Sequence, residues 1–319
     1  MTGGLRLTWV QPEDLLPHEL RQADEDGRNA VHIRNRWLQS GGPPAPPPSG
    51  ASPVCAPAHL RTLAKDLLDE LAMLTSPLEE PTDLASITRL SPGLQDSGEP
   101  ASAQRAARAP SPDALHSAWL GRAIGCLLGK PVEKLPLHGI RALARATGNW
   151  PLTTWFTAKG VPPDLAAEHP WNRRSAATSL AENIDGMPED DDLNYPLLNL
   201  LLLQRRGRRF TTAQVAQLWL DELPAGRTFT AERVAYRNLL SGVEPPHTAT
   251  CRNPFREWIG AAIRADVHGW TNPGDPAAAA RQAHRDAVLR RFAASASRNC
   301  SVVIHGWSLE INSARSFVI

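Results

Sequence analysis

The chain has 319 residues, enough for one or two domains with a sizeable core. Lys and Arg total 34 against 33 Asp and Glu, a net charge of +1, so no field of either sign recruits nucleic acid or anionic lipid. Aromatic residues make up 6%, alanine, leucine and arginine are abundant, and alternating β-branched runs are nearly absent, which points to an all-α fold.

Residues 1–40 read as a polar N-terminal leader segment with short apolar stretches near Leu5–Val10 and Val31–Leu38. The first ten residues lack a basic segment followed by an apolar run, so they are not a secretory signal. Residues 41–110 read as a Pro/Ser-rich linker that opens on GGPPAPPPSGASPVCAP, a composition that favours extended backbone. One amphipathic helix interrupts it at 59–74, with Leu60, Leu63, Leu67, Leu68, Leu71 and Leu74 on one side. Residues 75–110 look loosely ordered.

A helical domain is expected over 111–289. Ser111 is a good N-cap, Pro112 suits the first helical position and Asp113 complements the dipole, for a helix running to about Leu128. Thr211 or Thr212 caps a helix with Val215, Leu218 and Trp219 facing inward; Thr230 caps the next; Asp275-Pro276 opens an alanine-rich helix reaching Leu289. Residues 290–319 form an atypical tail holding none of the 29 prolines and a single acid, Glu310. Two readings of it stand: a natural tail with a strand at Ser301–Ile304, or a segment of different origin such as a frame change.

The longest apolar stretch, Leu197–Leu203, is broken by Asn199 and too short to span a bilayer. The four cysteines, Cys55, Cys126, Cys251 and Cys300, lie far apart without zinc-site spacing. A cytoplasmic location is the expectation.

Three segments are candidates for chemistry. Gly121, Gly125 and Gly129 share one helical face, each at a cost of up to about 1 kcal/mol relative to alanine, which calls for close approach of another helix or of a ligand. Glu133 follows on a loop. Glu189-Asp190-Asp191-Asp192 stands before an apolar helix; this is either an acidic cap, with Asp192 as N-cap, or a set of carboxylates around a hard cation such as Mg²⁺. Ile259, Ala262, Ile263 and Asp266 share a helical face with Phe255, with Gly269 as helix stop. This is either a capped core helix or a functional face, and a buried Asp266 would find Arg264 or His268 nearby. No nucleophile elbow, P-loop or dinucleotide-binding glycine pattern is present.

The order of these segments is informative. Gly-x-x-x-Gly-x-x-x-Gly-x-Pro-x-Glu, an acidic cluster opening an apolar helix, Ile-Arg-Ala-Asp with a glycine close behind, and Gly-Asp-Pro opening an alanine helix resemble the ADP-ribosylglycohydrolase family over about residues 111–289. Leu7-Thr-Trp-Val-Gln-Pro-Glu-Asp-Leu-Leu is similar to the leader of a longer-chain subgroup. The resemblance implies a compact all-α, multi-helix globule with two Mg²⁺ ions that hold ribose hydroxyls and a water near the scissile anomeric carbon. It implies an ADP-ribosylated protein, or a small molecule containing ADP-ribose, as partner, while the balanced charge and short apolar stretches lead to the expectation of no nucleic acid and no membrane.

Asp191 and Asp192 would carry over as metal ligands, with Asp190 at the Thr/Ser place of the Thr/Ser-Asp-Asp-Thr motif. Glu133 would be the catalytic glutamate, and Gly125, Gly129, Asp266 and His268 the substrate-binding residues. The family's second metal motif, Asp-x-Asp-Thr/Ser, has no counterpart, since no aspartate follows Asp286. The expectation is therefore a C-terminally incomplete domain with an incomplete second metal site. It acts either as a hydrolase or as a non-catalytic module that binds ADP-ribose or a partner.

Overall fold

The computed structural model describes residues 5–91 and 110–289. Among the described residues there are fourteen α-helices and no strand, so the all-α expectation holds. In chain order the helices are α1 Pro12–Glu25, α2 Val31–Gln39, α3 Ala58–Ala72, α4 Leu84–Arg89, α5 Pro112–Gly129, α6 Leu137–Ala146 and α7 Pro163–Glu168. They continue with α8 Ala176–Ser179, α9 Asp191–Arg206, α10 Thr212–Glu222, α11 Thr230–Leu240, α12 His247–Thr250, α13 Asp266–Trp270 and α14 Pro276–Ala287. No described helix is long and apolar enough to cross a membrane.

Several of these helices begin where local chemistry dictates. Ser111 accepts a hydrogen bond from the Ala114 amide at 3.1 Å ahead of Pro112, which starts α5. Thr211 and Gln214 form a reciprocal capping box at α10. Asp275 accepts from the Ala278 amide at 2.8 Å and opens α14. Elsewhere tertiary packing changes the expected boundaries. Phe229 rather than Thr230 occupies the cap position of α11. The stretch after Phe255 is a 3₁₀ turn, Ile259–Arg264, followed by the short α13, instead of one helix sharing a face. Gly269 lies inside α13 and does not stop it.

The described residues divide into two compact units, 5–91 with 195–289, and 110–194. Helix α9 contributes to both, its first four residues to the second unit and the remainder to the first. In the first unit one core joins Leu15, Leu16, Leu20, Ile33 and Trp37 of α1 and α2 to Leu60, Leu67, Leu68 and Leu71 of α3 and to Ala231, Val234 and Phe255. The leader is thus built into the fold of the 195–289 segment. Four buried charges reinforce it. Arg256 meets Glu19 at 2.8 Å and Asp26 at 3.2 Å, and Arg28 meets the same two carboxylates at 2.8 and 2.9 Å.

The proline-rich stretch is held against the leader as well. Trp37 donates from Nε1 to the Pro43 carbonyl at 2.9 Å, and a Cβ at Gly42 would overlap the Trp37 ring. Gly50 has φ +76° and lies against Trp9, so a side chain there would be both strained and blocked. Tyr195, Leu202, Phe210, Val215, Leu218 and Trp219 form a second cluster in this unit. In the second unit Val132, Ala144, Phe156 and Leu180 form a smaller one. The tail at 290–319 and residues 92–109 lie outside the described residues; of the stretch 75–110 expected to be loosely ordered, the described part holds α4, capped by Asp83, which accepts from the Ser86 amide at 2.9 Å.

Candidate metal centre

The acids and glycines singled out from the sequence meet in the second unit, where the end of α5 faces the start of α9. Asp190 stands just before α9 and its Oδ1 accepts from the Asp192 amide at 3.0 Å. Asp190, not Asp192, therefore caps the helix, a role that a Thr or Ser hydroxyl fills equally well. The other oxygen of Asp190 accepts from the Lys130 ammonium in a short ion pair. Arg122 donates from Nε to the Asp192 carbonyl at 2.9 Å, and its guanidinium lies 3.7 Å from the Asp192 carboxylate. The Sγ of Cys126 and carboxylate oxygens of Asp190 and Asp192 all fall within 4.8 Å of one another.

These carboxylates are set apart electrostatically. Burial alone would push Asp190 up, but the bond from Lys130 and the Asp192 amide hold it below the ordinary carboxylate value. Asp192 is raised, first by burial and then by the charges of Asp190 and Glu133, against the pull of Arg122 and Lys130. The Cys126 thiol is pushed up by burial and by both aspartates. Glu133 follows the turn Lys130–Val132 and accepts from Asn172 Nδ2 at 2.6 Å, which orients its carboxylate. Asp191 is near enough for its charge to be felt by Lys130.

The glycine face is open. A Cβ at Gly121, Gly125 or Gly129 would meet nothing within 4 Å among the described residues, which removes the helix-packing explanation for them there. Gly121 and Gly125 are exposed and Gly129 is half-buried beside the cluster. Asp266 and His268 belong to the first unit instead. His268 is fully buried, with Nε2 at 3.3 Å from Asn199 Nδ2 and 3.8 Å from Asp286. Arg264 pairs with Asp286 at 3.0 Å, not with Asp266, and lies over the Trp219 ring at 4.8 Å. In this setting His268 braces a buried ion pair.

Arg122, Cys126 and Lys130 were not read from the sequence as site residues. Their signal was a second spacing of four along α5 and its C-cap, one residue on from the glycines.

Fold and cluster together define an all-α protein with carboxylates gathered at a helix start beside an open glycine face. The chain belongs to the ADP-ribosylglycohydrolase family, whose model matches residues 107–311, more than half of the chain. The match runs past residue 289 into the tail. No curated protein and no solved structure matches the chain.

That family is metal-dependent in general, and the residues here fit a divalent cation. Two carboxylates and a sulfur can converge on one ion, and Lys130 already supplies a positive charge at Asp190.

Proposed function

We propose that the chain is a hydrolase of the glycosidic bond between ADP-ribose and a modified protein or small molecule, assisted by a divalent cation that the resemblance assigns as Mg²⁺. The observation that carries this reading is the convergence of Asp190 and Asp192 within 4.8 Å, at the foot of an open glycine face. Asp190, Asp191 and Asp192 would hold the ion. A bound divalent cation supplies Lewis acidity and a water of lowered pKa. Glu133, oriented by Asn172, would position the attacking water and take up its proton. The bare backbone at Gly125 and Gly129 would let the ribose approach α5 closely. Arg122 and Lys130 would keep the start of α9 and Asp190 in place through their bonds to Asp192 and Asp190.

A second reading, a module that binds ADP-ribose without cleaving it, is favoured by one observation. Arg122 and Lys130 balance Asp190 and Asp192 within the chain itself. Release of ADP-ribose from an ADP-ribosylated protein, followed with Mg²⁺ present, tests the first reading. The Asp191→Ala/Asp192→Ala double variant is expected to lose turnover by at least about a hundredfold, and turnover equal to wild type would sink the metal role. Calorimetric binding of ADP-ribose without any turnover would establish the second reading.

A further inference from the structure

Arg141 and Arg145 lie one turn apart on the exposed side of α6, and both guanidiniums sit over the ring of Trp150, at 5.5 and 5.6 Å from its centroid. Other surface arginines are matched by acids: Arg34 meets Asp24, Arg36 meets Glu70, Arg205 meets Glu222 and Arg252 meets Asp69. Among the described residues the guanidiniums of Arg141 and Arg145 have neither an ion-pair nor a hydrogen-bond partner. Like charges one turn apart on a helix repel, so the pair weakens α6 unless something binds it. A ring face supplies no acceptor, and the donors of both forks stay available to a ligand. Trp150 is 37% exposed, and its Nε1 donates to no described residue. The loop that carries Trp150 is tied at both ends. Gly148, at φ +70°, closes α6 by donating to the Arg145 carbonyl at 3.0 Å, and the Asn149 amide donates to the Ala144 carbonyl at 2.8 Å. The buried Asn149 side chain then accepts from the Thr153 and Thr154 amides at 3.0 and 3.2 Å and donates to the Thr154 carbonyl at 2.9 Å. Trp150 is thereby set against the helix before a partner arrives, which lowers the ordering cost of binding.

We propose that Arg141, Arg145 and Trp150 form a docking surface for a carboxylate-rich polypeptide segment. Only the partner's identity rests on the hydrolase reading, under which it is the protein that carries the ADP-ribose. Guanidinium forks match carboxylates two N–H groups at a time. Arg and Trp are also the side chains that most often anchor protein interfaces. The surface is an open helix side on which exposed Leu137 and His138 continue the row toward the start of α6. Small ligands favour enclosed, concave sites, whereas an extended chain can lay successive side chains along such a row. Helix α6 belongs to the same unit as the carboxylate cluster, so a segment held there stays beside the candidate site's own unit.

The test is fluorescence anisotropy of a labelled deca-glutamate peptide titrated with the full-length chain at low salt. The expected result is saturable binding that weakens as salt is added and falls at least about tenfold in Arg141→Ala/Arg145→Ala. Arg208→Ala/Arg209→Ala removes the same charge from exposed positions of the first unit and should change affinity less than about twofold. Arg141→Lys/Arg145→Lys keeps the charge without the planar fork and should recover only part of the loss. All these positions are exposed, so thermal melts of the variants should match wild type. No binding, equal weakening in the two alanine pairs, or displacement of the peptide by inorganic phosphate at the same concentration would overturn the inference. Release of ADP-ribose from an acidic ADP-ribosylated protein should show a raised KM and unchanged kcat in Arg141→Ala/Arg145→Ala, with neither changed for a small ADP-ribosylated compound. An unchanged KM for the protein substrate would overturn the assignment of the partner. No release from either substrate by wild type would remove the hydrolase reading and leave the docking surface standing on the peptide result.

Discussion

His18 packs edge-on against Phe255 at 4.8 Å and against Trp258 at 6.3 Å. Burial, and then the charge of Arg21, lower its pKa from 6.5 to about 4, although Asp14 pulls the other way. It is therefore neutral in the fold while the unfolded chain takes up a proton below 6.5. The stability it contributes is complete above 6.5 and is lost as pH falls from 6.5 to about 4. Glu13 and Asp286 act lower. Burial would raise them, but Arg61 and Arg264 hold them below ordinary carboxylate values, and their contribution disappears as pH falls below those values. Urea unfolding at a series of pH values should show wild type weakening through the upper window while His18→Gln stays nearly flat there. Parallel profiles for the two proteins would remove His18 from the account. Residues of the candidate site were legible unevenly. Asp190, Asp191, Asp192, Gly125, Gly129 and Glu133 stood out because four acids exceed what a cap needs and because glycine in a helix is costly. Cys126 and Lys130 carry no such local cost, and only the fold that sets α5 against the start of α9 gives them a role.

Among the elements, α1 was the least legible. Its sequence is rich in charge, yet Glu13, Asp14 and Glu19 are buried along with Leu15, Leu16 and Leu20. An apolar-periodicity argument reads buried acids as solvent-facing, and some of the partners that neutralise them come from distant segments. Arg61 meets Glu13 at 2.7 Å, and Arg256 meets Glu19 at 2.8 Å. By contrast α3, α5, α10 and α14 were legible from leucine spacing and caps, because nothing distant competes with those signals. The ring of Glu19, Asp26, Arg28 and Arg256 ties α1 to the segment after α12. Removing one cation leaves two buried carboxylates on Arg28 alone, a loss of about 3–5 kcal/mol. Arg256→Ala should lower unfolding free energy by that amount. Arg256→Met is expected to do the same despite filling more of the space, which separates charge from packing. A loss under about 0.5 kcal/mol, as at ordinary surface sites, would show that the ring carries no stability.

For the whole molecule, the decisive point is that sequence similarity and folding unit do not coincide. The family match begins at residue 107, and composition suggests a boundary at Ser111, yet the core of the first unit is shared between 5–91 and 195–289. A chain begun at Ser111 would leave Ala231, Val234 and Phe255 without Leu15, Leu16, Ile33, Trp37 and Leu67. It would also strip Arg256 of Glu19, Arg252 of Asp69 and Arg233 of Thr8. Each large apolar side chain kept from its partners forfeits about 1.5–3 kcal/mol, against a total stability of about 5–15 kcal/mol for a typical domain. Two or three such losses suffice to abolish cooperative folding. The chain truncated to 111–319 should therefore bind a hydrophobic dye and melt without a sharp transition, whereas the full chain melts cooperatively, as judged by circular dichroism and calorimetry on matched samples. Adding residues 1–110 as a separate polypeptide should restore the transition, because the contacts to be regained are those of a docked core and not of a tether. A sharp melt of the truncated chain at the temperature of the full one would mean that α1, α2 and α3 only cover a core that stands without them.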